Sequence, residues 1–333
     1  MKLGIVGTGM IVQFVAPHFD EWGVPVGAVC GTPSTLGEVD DLCKMTGGDA
    51  YSDFDLMLAE ADIDTVYVAV PNSIHHDFAR RALLAGKNVI VEKPLVSNVE
   101  EARDLAAIAR SRDLLLYEAI STLYLPNYLR IRELLPQIGD VKVVSLNYSQ
   151  YSSRYDAFRS GSVLPAFDPA CSGGAMMDLG LYNVHYAMGL FGAPVAARYR
   201  ANVEKGIDTS GVMELDYPSF KVTSVAAKDC AAPARIVIQG TKGYILQDTP
   251  ANNCGPVTLH LNDGTESVCS ENPEYQWESE FRAFMAGIDA HDAEGCYRML
   301  DHSVAVSDVM TTARRAAGIR FAADDRPPAA RPQ

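Results

Sequence analysis

The chain is expected to fold as an α/β domain with a doubly wound parallel sheet, followed by an α+β domain with a large, open, mostly antiparallel sheet. Two observations predict this. Through about residue 120, short β-branched runs alternate with segments of helical periodicity. Beyond it, strand-like segments succeed one another with turns between, and helical spacing returns only near the end. A chain of 333 residues is long enough for two such cores.

In order, Leu3–Val6 is an apolar run ending in a glycine turn, and residues 11–19 carry apolar positions at helical spacing. Residues 24–30, 65–70, 88–91 and 114–117 read as strands, the second stopped by Pro71. Residues 77–85 read as a helix that Gly86 suits at its end. Ser97-Asn98-Val99-Glu100 has the spacing of a capping box and opens a helix to about Arg112. The second part holds a long strand over 141–151 and shorter ones over 212–217, 221–227, 235–239 and 243–246. Helical spacing returns over 278–317. These readings divide the chain into domains 1–120 and 121–320. A polar, proline-rich tail over 321–333 is expected to be disordered.

Composition removes several function classes. A net charge of −14 opposes binding to nucleic acid, whose phosphates attract Lys and Arg. No apolar run approaches the roughly 18 residues of a membrane span, and the first residues lack the ordered regions of a signal peptide. A cytoplasmic location is the expectation. The seven cysteines are odd in number, with no C-x-x-C pair, so neither a disulfide framework nor a metal site is expected.

Gly7-Thr8-Gly9-Met10-Ile11-Val12 follows the first strand and opens the first helix. That is the context of a dinucleotide-binding Rossmann fingerprint. The first glycine permits the tight turn; the second lets backbone approach a pyrophosphate at the helix N-terminus. Val12 replaces the usual small third residue. The second strand ends at Val29-Cys30-Gly31-Thr32-Pro33-Ser34, where an acid would grip the ribose of NAD. No carboxylate stands there. Thr32 and Ser34 suit ribose or phosphate, so NAD(P) is the expected cofactor with a slight lean to NADP.

Two clusters carry candidate proton chemistry. Glu92-Lys93-Pro94 ends a strand on the edge where ligands bind in such folds. A partly desolvated lysine there can exchange a hydroxyl proton, and Glu92 can hold it. Taken alone, a Glu-Lys pair is usually a solvated one. The second cluster runs Gly173-Gly174-Ala175-Met176-Met177-Asp178 to Tyr182 and His185. If helical, Asp178, Tyr182 and His185 share one face. A helix with one buried Tyr and a satisfied His has the same spacing.

At these residues the sequence resembles the Gfo/Idh/MocA oxidoreductase family. GTGMIV, VPNSIHH with EKP, and GGAMMDLGLYNVH agree with its landmarks in order and separation. The resemblance implies a Rossmann domain, with an open sheet in the second domain that forms a homodimer or homotetramer interface. It makes Lys93 the catalytic lysine and lays Pro71, Asn72 and His75 along the cofactor. Tyr182, four residues after Asp178, is similar to the branch with glucose–fructose oxidoreductase, xylose dehydrogenases and dimeric dihydrodiol dehydrogenase. Leu123 departs from the Arg frequent in that branch.

The function implied is hydride transfer to or from a secondary alcohol or ketone of a sugar, cyclic polyol or trans-dihydrodiol. Tyr182 and Lys93 would exchange the proton, and Asp178 would orient the substrate or the lysine. Tyr151, Arg154, Tyr155 and His185 are further candidates for contact with the small-molecule substrate. Two alternatives stand beside this: a non-catalytic NAD(P)-binding sensor, and a carbonyl reductase for an unrelated small molecule.

Overall fold

The computed structural model describes residues 1–326. Their contacts divide them into two compact units. The first holds Met1–Ala119 with Glu280–Val304, and the second Ile120–Ser279 with Ala305–Arg326. The long helix Ala293–Ala316 contributes residues to both.

The first unit is built on six strands: β1 (Leu3–Val6), β2 (Val26–Cys30), β3 (Asp49–Tyr51), β4 (Thr65–Val68), β5 (Asn88–Glu92) and β6 (Leu116–Ala119). They lie in the order β3-β2-β1-β4-β5-β6, and every pair is parallel. β1, β4 and β6 are buried throughout. This is why they read as continuous apolar runs rather than alternating ones. The order reverses at β1, so the loops after β1 and β4 flank the crevice where such sheets bind ligands.

Local capping differs from the sequence reading by one residue. Asn98, not Ser97, caps helix Val99–Ser111, its Oδ1 accepting from the Glu101 amide at 2.9 Å. The Glu101 carboxylate accepts from the Ser97 amide at 3.0 Å, so the reciprocal acid is Glu101 rather than Glu100. The helix Glu278–Asp289 also departs from the expected 121–320 grouping. Its Phe281 lies 4.9 Å from Phe19 and 5.4 Å from Tyr67 between ring centroids, and Phe284 lies 5.0 Å from Tyr117. These aromatics complete the core of the first unit.

The second unit has β7 (Val141–Ser149), β8 (Ala196–Glu204), β9 (Ile207–Asp216), β10 (Lys221–Ala227), β11 (Arg235–Gly240), β12 (Gly243–Gln247), β13 (Val257–Leu261) and β14 (Glu266–Cys269). Their order is β14-β13-β12-β11-β7-β10-β9-β8. All pairs are antiparallel except β7 with β10. Lys205 and Gly206 join β8 to β9 with φ of 50° and 82°, the positive pair that a two-residue hairpin turn requires. Helix Leu181–Phe191 packs on the inner face, where Asn183 Nδ2 donates to Ser224 Oγ and to the Val225 carbonyl, both at 3.1 Å. The opposite face is mixed in character. Val143, Val212, Tyr244 and Val268 are exposed there beside Lys221, Glu214 and Arg235.

Residues 321–326, part of the expected disordered tail, are ordered. Phe321 is buried, and Asp324 accepts a two-pronged bond from Arg314 at 2.7 and 2.9 Å and another from Arg315 at 2.8 Å. The rest of that tail, 327–333, lies outside the described residues. Burial would raise the Asp324 pKa, but Arg314, the Phe321 amide and Arg315 outweigh it and hold the carboxyl below its usual range. A lowered folded-state pKa stabilises the fold above the unfolded value of about 3.9, and the contribution is lost as pH falls below it. Arg314 is 1% exposed and Asp324 0%, so Asp324→Asn strands a buried guanidinium. Urea unfolding at pH 7 should show a loss of about 3–5 kcal/mol that shrinks towards pH 3. A pH-independent change below about 1 kcal/mol would contradict this reading.

Candidate active site

The first unit presents a dinucleotide cradle at the end of β1. Gly7 has φ +108°, and a Cβ there would stand 2.2 Å from the Ala69 carbonyl oxygen. Only glycine fits so close to the loop after β4. Gly9 is the N-cap of helix Met10–Val15, and no side chain caps that end. The space before Gly9 is open: a Cβ placed there would have the Ala69 oxygen, at 3.9 Å, as its nearest neighbour. Thr8, Gly9, Met10 and Ile11 thus surround an uncapped, accessible helix N-terminus, which fits a pyrophosphate. Val12, at the fingerprint's third position, is fully buried.

Beyond β2, Thr32 Oγ1 lies 2.8 Å from Ser34 Oγ and 3.2 Å from Thr35 Oγ1, an exposed cluster of hydroxyls. Sequence reading missed two members of this region. Thr35 joins the cluster, and Glu38 accepts a hydrogen bond from the Thr8 hydroxyl. Glu38 sits in helix Leu36–Thr46, and only the sheet order brings it to the glycine turn.

The loops after β4 and β5 carry Pro71, Asn72, His75, Glu92 and Lys93. His75 is buried, with Nδ1 2.8 Å from the Pro94 oxygen and Nε2 2.8 Å from the Val70 oxygen. It ties the two loops together, which is a bracing position rather than an exposed one. Burial lowers its pKa, against the two carbonyl bonds. Pro71 is exposed and Asn72 half-buried at the short helical turn Asn72–Ile74. Lys93 is half-buried just past β5, and its peptide bond to Pro94 is cis.

Behind Lys93 lies a buried acid network. Tyr67 Oη donates to Glu92 Oε1 at 2.6 Å, and the Lys93 amide donates to Oε2 at 3.2 Å. Glu118 accepts from the Leu95 amide at 2.8 Å. Burial raises the Glu92 pKa against the bond from Tyr67. Burial and the Glu92 charge push Glu280 well above the ordinary carboxyl value. Glu280 was missed because its distance in sequence hid its place in the first unit.

In the second unit, Asp178 lies in a single π-helical turn, Met176–Gly180, ahead of helix Leu181–Phe191. The expected unbroken α-helical face from Asp178 to His185 is therefore interrupted by a wider turn, a feature frequent at functional sites. The glycine pair before it is required by close contacts. A Cβ on Gly173 would stand 2.6 Å from the Pro165 oxygen, and one on Gly174, at φ +105°, 2.1 Å from Asp208 Oδ1. Asp208 accepts from the Met176 amide and from Tyr199 Oη, both at 2.7 Å. Burial pushes its carboxyl up to about 6 against these bonds.

Tyr182 is half-buried beside Leu179, Ala226 and Tyr148, the two tyrosine rings 6.2 Å apart. Asp178 Oδ2 lies 2.8 Å from Lys228 Nζ, a residue that sequence reading did not single out. His185 is 0% exposed, so its ring belongs to the helix–sheet packing and is withdrawn as a direct substrate contact. Tyr151 is exposed and donates to Asp156 at 2.7 Å, and Arg154 is exposed at the start of helix Tyr155–Arg159. Tyr155 donates to Glu204 at 2.6 Å, which with burial pushes its phenol up to about 12. A phenol so held is a poor base at neutral pH.

Comparisons with known proteins give the family and the fold. Residues 1–119 match an oxidoreductase family with an NAD-binding Rossmann fold, and residues 128–246 match the GFO/IDH/MocA C-terminal domain. The chain is 34% identical to scyllo-inositol 2-dehydrogenase (NADP(+)) IolU of Bacillus subtilis (strain 168), over 97% of this chain and 99% of that one. It is 28% identical to a trans-1,2-dihydrobenzene-1,2-diol dehydrogenase of Danio rerio, over 83% and 84% of the two chains. KijD10, a 3-ketoreductase from Actinomadura kijaniata solved in complex with NADP, shares the fold with a TM-score of 0.79 at 20% identity, covering 95% of this chain and 97% of its own. Two matching domains and a full-length relative place the chain in the GFO/IDH/MocA family, as an NAD(P)-dependent oxidoreductase.

Proposed function

We propose that the protein oxidises a secondary alcohol, or reduces the matching ketone, on a cyclic polyol, sugar or trans-dihydrodiol, with NADP preferred. The observation that carries this is the pairing of Asp178 with a buried lysine one turn before Tyr182, in a chain that also keeps Lys93 past β5. Full-length similarity to an inositol dehydrogenase and to a 1,2-diol dehydrogenase supports the substrate class. The sensor alternative gains no support, since a sensor has no use for proton-active side chains.

Oxidation of a secondary alcohol removes a hydride from carbon and a proton from oxygen. Bound nicotinamide supplies the hydride acceptor at its C4. The chain's own residues handle the proton. Tyr182 and Lys93 are the side chains that exchange it. Asp178 accepts a hydrogen bond from a substrate hydroxyl and so fixes the ring's orientation. Gly7, Thr8, Gly9, Met10 and Ile11 hold the pyrophosphate, with Pro71, Asn72 and His75 supporting the adjoining loop. Glu92 holds the Lys93 backbone. Tyr151 and Arg154 border the substrate.

The preference for NADP rests on the hydroxyls of Thr32, Ser34 and Thr35, which suit a 2′-phosphate and carry no repelling charge. Thr32→Asp should shift the ratio of kcat/KM values towards NAD by at least about tenfold, or about 1.4 kcal/mol. An unmoved ratio places the ribose elsewhere.

A homodimer formed through the outer face of the second unit's sheet, in a cytoplasmic protein with free thiols, completes the reading. Exposed Val143, Val212, Tyr244 and Val268 support the interface. Sedimentation should give a dimer or tetramer; a monomer at every concentration tested refutes the assembly.

The proton chemistry is tested by substitution. Lys93→Met and Tyr182→Phe should each lower kcat by about 10²–10⁴-fold while leaving NADPH affinity unchanged. The double variant should lose far less than the product of the two single losses, because residues acting on one proton are non-additive. Full turnover in Lys93→Met contradicts the mechanism.

A further inference from the structure

Lys228 follows the last residue of β10, and its side chain is 3% exposed. An ammonium taken out of water is costly unless its donors are met and its charge is opposed. Here both conditions hold. Nζ lies 2.8 Å from Asp178 Oδ2, donates to the Ala166 oxygen at 2.7 Å, and stands 4.4 Å from the centre of the Phe167 ring. Two hydrogen-bond acceptors and one aromatic face surround an ammonium that has three donors.

The backbone of Lys228 is as firmly placed as its side chain. Its amide donates to the Thr209 oxygen at 2.8 Å, and its carbonyl accepts from the Ser152 amide at 2.9 Å. A lysine side chain ordinarily keeps many rotamers open. This one is fixed at both ends. Its partner is different in kind: the Asp178 side chain is 36% exposed, so the carboxylate is held from the inside and reachable from outside.

We propose that Lys228 is a positioning residue for the reaction: it fixes the carboxylate of Asp178, through a buried ion pair, in the orientation that receives a substrate hydroxyl. The inference rests on the proposed alcohol-oxidising function and assigns to the second unit a lysine distinct from Lys93. It follows that Asp178 presents an ionised, oriented acceptor without needing a charge from the substrate. A neutral polyhydroxylated ring is the ligand such a pair suits. A free carboxylate at this place would instead favour a cationic one.

Three further charges bear on the pair. Asp208, on β9, feels the Lys228 charge, which favours its ionised form. Asp229 follows Lys228 directly and accepts from Thr209 Oγ1 at 2.8 Å and Ser210 Oγ at 2.7 Å. Glu204, at the end of β8, is engaged by Tyr155. All three are acids, and Lys205, which follows Glu204, is a further cation at this end of the sheet.

The test uses the full chain and two variants, Lys228→Met and Lys228→Gln, the second keeping a donor towards Ala166 without a charge. With scyllo-inositol, a trans-1,2-dihydrodiol or a sugar as substrate and NADP as cofactor, each should lower kcat/KM by about 10²-fold. NADPH affinity should not change, and the acid limb of the kcat/KM profile should move to higher pH. In an Asp178→Asn background the same substitutions should cost less than about threefold, because their effect acts through Asp178. Equal losses in both backgrounds, or an unmoved acid limb, overturn the proposal and leave Lys228 as packing alone.

A second readout does not depend on turnover. With ¹³C-carboxyl aspartate, and Asp178→Asn and Asp208→Asn to assign the resonances, Asp178 should titrate at higher pH in either Lys228 variant than in the parent. An unchanged midpoint overturns the pairing. If the parent turns over none of the three substrate classes, the function reading fails, while this titration still decides the ion pair.

Discussion

Buried carboxylates that accept backbone amides fix the segment that carries Lys93 and, separately, the turn that carries Asp178. The loops carrying Lys93 and Asp178 leave regular structure, so their N–H groups lack ladder partners and need acceptors. In the first unit Glu92 takes the Lys93 amide, Glu118 the Leu95 amide and Glu101 the Ser97 amide. In the second, Asp208 takes the Met176 amide at the head of the turn that holds Asp178. A carboxylate accepting a backbone N–H is a strong, directional hold. The same device, repeated, holds the loop from Lys93 to Ser97 and the turn that starts at Met176.

The device has an electrostatic consequence. Burial raises the pKa values of Glu92, Glu280 and Asp208, and a neighbouring acid adds to it for Glu92 and Glu280. Burial, with the Glu92 charge beside it, pushes the Glu280 carboxyl above its ordinary value. Asp178 is treated in the opposite way: Lys228 opposes its charge, and the carboxylate remains available as an acceptor. One chain thus holds two carboxyl environments, one of crowded buried acids and one of an acid paired with a lysine.

Much of this was legible in the sequence. The strands β1, β2, β4, β5 and β6 announce themselves because both faces are buried, and the glycine turn at Gly7 because its φ and its approach to Ala69 admit no side chain. Lys93 and Tyr182 stood in motifs whose order and spacing are distinctive. What stayed hidden depended on tertiary contact. β3, β8 and β14 lie on sheet edges, where exposed polar residues erase the alternation that marks a strand. The π turn at Met176–Gly180 has no local signature apart from the glycine pair, whose need lies in Pro165 and Asp208. Lys228 reads as a surface lysine at a strand end until Asp178, fifty residues earlier in sequence, is set beside it. Phe281 and Phe284 showed their helical spacing but not that their partners were Phe19, Tyr67 and Tyr117.

The central claim is that this chain moves a hydride between a carbinol carbon and nicotinamide. It is tested most directly by following the hydrogen itself. With scyllo-inositol or a trans-1,2-dihydrodiol deuterated at every carbinol carbon, in ordinary water, the NADPH formed should carry one deuterium at C4 from the substrate and none from solvent. A primary isotope effect on kcat/KM should accompany the transfer. Reduced cofactor bearing only solvent hydrogen at C4, or no reduction with any alcohol offered, would contradict the account.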